Sequence, residues 1–95
     1  MINIKDNDLW RGGEKVGYIE GDHIVDHAGK KLGHFSESEK KIYDESDKEV
    51  GKIVGNHITF PGDEHFIRLE DNQEQIVGGV YSDVVRAAIR IFLGE

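Results

Sequence analysis

The sequence predicts a mainly β domain: an antiparallel meander of four or more β-hairpins about a pseudo-symmetry axis, with one C-terminal α-helix. Three observations lead there. A short phrase, charged residue then apolar-Gly-x-apolar, recurs as Lys15-Val16-Gly17-Tyr18-Ile19, Lys31-Leu32-Gly33-His34-Phe35 and Glu49-Val50-Gly51-Lys52-Ile53. His65-Phe66-Ile67-Arg68-Leu69 is a fourth copy in which isoleucine replaces the glycine. Clusters of turn formers separate the apolar runs at intervals of about eight residues, the spacing of short strands. From Ser82 onward the apolar positions change from a strand-like to a helix-like period.

Residues 1–8 form a lead-in, with Ile2 and Ile4 at period two as an edge strand. Hairpins are expected over 9–19, 24–35, 42–53 and 58–69. Their tips are Arg11-Gly12-Gly13-Glu14, Asp26-His27-Ala28-Gly29, Asp44-Glu45-Ser46-Asp47 and Pro61-Gly62-Asp63. Gly supplies positive φ, Asp closes hydrogen bonds to nearby backbone, and Pro presets φ, so each cluster has a reason to turn the chain. The links Glu20-Gly21-Asp22-His23 and Val54-Gly55-Asn56-His57 are as short, and Ser36-Glu37-Ser38-Glu39 is a longer polar version. Links this short join antiparallel neighbours, because a parallel crossover takes a dozen or more residues.

Glycine inside a strand weakens it unless something approaches closely. Gly17, Gly33 and Gly51 fall at one step of their units. They are therefore expected to be sites where another backbone or an aromatic ring comes near. A phosphate-cradling role would need a Gly-rich loop leading into a helix, which none of the three has. After the fourth unit, Glu70-Asp71-Asn72-Gln73-Glu74 reads as a turn and 75–81 as a last strand.

The helix is expected over 83–93. Ser82 is suited to the N-cap, Asp83 to the positive end of the helix dipole, and Gly94 to the C-terminal stop. Its apolar residues cover more than the roughly 100° stripe that a single sheet would bury. A second part of the chain or a second copy must cover the remainder. Val84, Val85, Ile89 and Phe92 are the candidate self-association residues, with Arg86 and Arg90 on the one polar stripe.

Ninety-five residues make one domain, and the absence of cysteine leaves packing to hold it. A formal charge of −7, spread along the chain, repels phosphate backbones, so nucleic acid is disfavoured as a partner. The same charge suits solubility or steering toward a basic protein. The start, Met1-Ile2-Asn3-Ile4-Lys5-Asp6, lacks a basic region followed by an apolar stretch, and no apolar run approaches the roughly 20 residues of a membrane span. A cytoplasmic protein is expected.

The repeats and the tail together resemble the 4-fold β-flower family, small bacterial proteins built from tandem hairpins. The residues that carry the resemblance are Ile24-Val25-Asp26-His27-Ala28-Gly29-Lys30-Lys31-Leu32-Gly33, Ile42-Tyr43-Asp44-Glu45-Ser46-Asp47-Lys48-Glu49-Val50-Gly51 and Ala87-Ala88-Ile89-Arg90-Ile91-Phe92-Leu93. The resemblance implies hairpins set like petals about an axis, and it brings no catalytic residue. The PRC-barrel is similar to one or two units only.

Five histidines, His23, His27, His34, His57 and His65, invite a chemical reading. His23 and His57 hold equivalent places in two units, and imidazole is a common ligand for Zn, Ni and Cu. No HxH, HExxH or Cys/His spacing accompanies them, so surface positions at turn edges are expected. Asp26 and Asp44 stand at one step of their units, where closing a turn explains them without acid–base chemistry. No serine lies in a Gly-x-Ser-x-Gly setting. The aromatic residues are expected to fill the core.

The functional expectation is a non-catalytic structural or protein-interaction module that self-associates or docks through its helix. No catalytic residue, metal ligand or cofactor is assigned. The alternative is a small-molecule or metal-binding protein using histidines between hairpins.

Overall fold

A computed structural model describes residues 1–94. It contains strands β1 (Ile2–Lys5), β2 (Asp8–Arg11), β3 (Glu14–Glu20), β4 (His23–Asp26), β5 (Lys31–Ser36), β6 (Lys41–Asp44), β7 (Glu49–Val54), β8 (His57–Thr59) and β9 (Phe66–Arg68). Helix α1 (Leu69–Gln75), strand β10 (Ile76–Val77) and helix α2 (Asp83–Leu93) follow. Strands β1 to β9 pair antiparallel in chain order, and β10 adds to β1 in parallel.

Turn chemistry sets the register. In the β4–β5 and β6–β7 hairpins, Asp26 and Asp44 donate their backbone N–H to Lys30 and Lys48, and their carbonyls accept from Gly29 and Asp47. Gly29 and Asp47 take positive φ, as the residue after a tight turn in a three-residue hairpin loop must. One further bond recurs at the base of every hairpin: Ile19, Phe35, Ile53 and Leu69 donate to the carbonyls of Asn7, Asp22, Lys40 and Asn56 in the preceding link. With that register, Leu9 faces Gly17, Ile24 faces Gly33, Ile42 faces Gly51 and Ile58 faces Ile67. Leu9, Ile24, Ile42 and Ile58 are all fully buried.

The sheet cannot be flat. Ten strands about 4.8 Å apart would set its two edges about 43 Å from one another. Yet β9 and β10, the two edge strands, are joined by α1 alone, whose seven residues span about 10 Å. The sheet therefore curls almost closed. Helix α2 packs against β4, β5, β6, β7, β10 and α1. Its Val84, Val85, Ala87, Ala88 and Ile89 join the strand residues in one core.

The in-strand glycines are where α2 reaches the sheet. A Cβ at Gly33 would overlap Phe92 Cζ and the Tyr43 carbonyl. At Gly17 it would overlap the Val25 carbonyl and lie 3.0 Å from Leu93 Cδ1, and at Gly51 it would lie 2.7 Å from Ile91 Cδ1. Ile91, Phe92 and Leu93 are successive residues, so their side chains leave the helix about 100° apart. Each meets the glycine of a different hairpin.

Four expectations need correction. Strand β1, expected at an edge, lies between β10 and β2. Two helices lie among the described residues: Leu69–Gln75, read as a turn, is α1, because Leu, Glu and Gln favour helix and Glu70 and Asp71 occupy its first turn. The strand expected over 75–81 shrinks to Ile76–Val77. Beyond it Gly78 and Gly79 take positive φ, and Arg86 accounts for the carbonyls of Ile76, Gly78 and Tyr81 by donating to them at 2.9, 2.7 and 3.1 Å. That segment is held by α2 rather than by a neighbouring strand. Of the aromatics only Phe35 is buried; Phe66 is exposed and the rest are half-buried.

Candidate functional site

The outer face of β4, β5 and β6 carries a row of three rings. His23 lies directly opposite His34 across β4–β5, and His34 opposite Tyr43 across β5–β6. Directly opposed side chains are within contact range. The His23 and His34 ring centres are 5.6 Å apart and tilted, and His34 and Tyr43 stack at 5.1 Å and 22°. Tyr43 donates its hydroxyl to Glu39 Oε1 at 2.8 Å, a bond that fixes the ring and raises the phenol above its ordinary pKa.

Carboxylates flank the rings. His23 Nδ1 is 2.9 Å from Asp22 Oδ1, and His34 Nε2 is 3.5 Å from Asp47 Oδ1. These four residues, with Lys31 and Glu45, line an open cleft of about 390 Å³ beside Gly33. Asp47 reaches it because its positive φ of 64° ends the β6–β7 turn, which Asp44 holds by accepting from the N–H groups of Ser46 at 2.8 Å and Lys48 at 3.0 Å. The floor is rigid sheet; the rim is two hairpin turns.

Comparison of the chain with family models, curated proteins and solved structures finds no match. The chemistry of the site therefore rests on its own geometry.

His23 and His57, equivalent in sequence, are not brought together: β4 and β8 have three strands between them. His57 instead meets Phe66 edge-on with ring centres 4.6 Å apart. His27 lies exposed in the β4–β5 turn, and His65 is exposed beside Asp63, whose Oδ1 accepts its N–H at 2.8 Å. Among the described residues no group of three or more His, Asp or Glu is placed to hold a metal ion. The partner of His23 is thus His34. Counting outward from the turn at Asp26, with the bulge between Ile24 and Val25, would have found it.

Asp26 closes its turn as Asp44 does, accepting from Ala28 and Lys30 N–H at 2.9 Å each. The Lys30 N–H holds the Asp26 carboxyl below the usual carboxylate range. Both aspartates are committed to the backbone.

Of the four residues considered for self-association, Val84 is 5%, Val85 1% and Ile89 0% exposed, so the chain's own sheet covers them. Phe92 is half-buried, as are its neighbours Ile91 and Leu93. The predicted polar stripe also turns inward. Arg86 binds the carbonyls named above, and Arg90 Nη1 lies 3.4 Å from Oδ1 of Asn72, the one polar side chain buried in the core among the described residues. Ser82 caps α2 by position, while its hydroxyl donates to Glu37 Oε1 at 2.6 Å. Among the described residues no helix is long and apolar enough to cross a membrane.

Proposed function

We propose that the chain is a non-catalytic interaction module of the 4-fold β-flower type, acting in the cytoplasm, whose hairpins repeat about the axis of α2. The contact of Ile91, Phe92 and Leu93 with three glycines in three hairpins supports the axial arrangement. The observation that carries the interaction reading is the state of the last helical turn. While the first two turns of α2 are sealed in the core, Ile91, Phe92 and Leu93 stay half-exposed. Val16, Leu32 and Val50, each one residue before such a glycine, are also half-buried against the core. A second copy of the chain covers this apolar rim.

Sedimentation velocity between about ten micromolar and about half a millimolar tests it, since association by mass action makes the mean size depend on concentration. The expected result is a rise from monomer to dimer, shifted to about ten-fold higher concentration by Leu32→Lys, with an unchanged circular dichroism spectrum as the folding control. A chain that stays monomeric throughout overturns the self-association.

A further inference from the structure

We propose that the cleft on β4–β6 receives an arginine side chain presented by a basic polypeptide segment. Its wall is the pair His23 and His34, with Tyr43 stacked behind His34, and its rim carries three carboxylates, Asp22, Glu45 and Asp47, against one ammonium, Lys31. A guanidinium is the cation that uses both features. It is planar, so it stacks on a ring face, and its fork of N–H groups pairs with carboxylates at the ring edge. An ammonium, compact and strongly hydrated, uses only the charge.

The rings are not free to fold into the core, because their strands turn Ile24, Gly33 and Ile42 inward. Both flanking aspartates are set by backbone. Asp47 sits at the end of a closed turn, and Asp22 lies in the link whose carbonyl holds Phe35 N–H at 2.9 Å. The chain's formal charge of −7 draws a basic segment toward the molecule before contact, and the three rim carboxylates hold it at this cleft. The volume of about 390 Å³ holds one side chain of that length and is open enough for the backbone that bears it to stay outside.

The test titrates the isotopically labelled full chain with a capped peptide of alternating glycine and arginine, following amide shifts. Matched peptides with lysine or citrulline, and capped single arginine, serve as comparisons. The arginine peptide is expected to move the amides of His23, His34 and Asp47 and to bind at least about three-fold more tightly than the lysine peptide, with citrulline silent. Asp22→Asn with Asp47→Asn should weaken it about ten-fold. Both variants suit their turns, Asn tolerating positive φ as Asp does. Asp63→Asn, outside the cleft, should leave binding as it was.

Equal binding of the arginine and lysine peptides, shifts centred elsewhere, or equal loss in Asp63→Asn would each overturn the site. Capped single arginine binding as tightly as the peptide would overturn the polypeptide segment as its ligand. None of these outcomes bears on self-association at the rim.

Discussion

At two hairpin tips a single carboxylate oxygen closes the turn: Oδ1 of Asp26 accepts from Ala28 and Lys30, and Oδ1 of Asp44 from Ser46 and Lys48. These bonds strengthen with charge on the acceptor. The lowered pKa of Asp26 turns this into a pH dependence whose sign is fixed. A carboxyl whose folded value lies below its unfolded value stabilises the fold above the unfolded pKa. That contribution is lost as pH falls from the ordinary value of 3.8 through the lower folded one. Asp26→Ala should therefore lower the melting temperature at pH 7 and flatten its decline below about pH 4. Asp26→Asn keeps an acceptor oxygen and should fall between the two. An Asp26→Ala melting curve equal to the parent at pH 7 would show that the carboxylate does not hold the turn.

Strands and helix meet at the glycines, and the atoms opposing them differ. Opposite Gly33 stand Phe92 Cζ and the Tyr43 carbonyl, and opposite Gly17 the Val25 carbonyl, and neither carbonyl can move without its strand. Opposite Gly51 the nearest atom is Ile91 Cδ1, the end of a flexible side chain. Gly33→Ala and Gly17→Ala should thus cost about 3 kcal/mol or more, at the upper end of overpacking, and Gly51→Ala about 1 kcal/mol. Ile91→Val, which removes the Cδ1 methyl, should recover most of the Gly51→Ala loss and none of the Gly33→Ala loss. Chemical denaturation of the single and double variants reads this directly, and a Gly33→Ala protein as stable as Gly51→Ala would contradict it. These positions were legible because glycine weakens a strand, so its return at a fixed step of a repeat marks a place where a side chain would collide. Helix α1 was not, since Leu69-Glu70-Asp71-Asn72-Gln73-Glu74-Gln75 has one apolar residue and no periodic face. Arg86 and Arg90 read as a solvated stripe because their acceptors, the carbonyls of Ile76, Gly78 and Tyr81 for Arg86 and the Asn72 side chain for Arg90, lie outside the helix and leave no periodic pattern in it. The His23–His34–Tyr43 row needed a bulge that local sequence does not announce. The clefts and the rim depend on which hairpins face which, and that is decided by curvature.

Over the whole molecule the last eleven helical residues do for the sheet what a second sheet does in a sandwich. Val84, Val85, Ala87, Ala88 and Ile89 complete the core against Ile2, Leu9, Ile24, Ile42, Ile58 and Ile76. Without them the curled sheet would enclose a void, and water would enter along its whole inner face. Arg86 adds a second dependence, because removing it would leave the carbonyls of Ile76, Gly78 and Tyr81 without their donor. The hairpins have local partners and short turns, so they can form early, but they gain little from one another until the helix arrives. A chain ending at Tyr81 should therefore lack the dispersed amide spectrum of a folded domain. Adding a synthetic peptide of residues 82–94 at excess should restore it, because the lost contacts are packing contacts that need no covalent link. A dispersed spectrum from the shortened chain alone would show that the sheet stands without its helix. The role of Ile91, Phe92 and Leu93 would then shift from closing the core to lining the exposed rim alone.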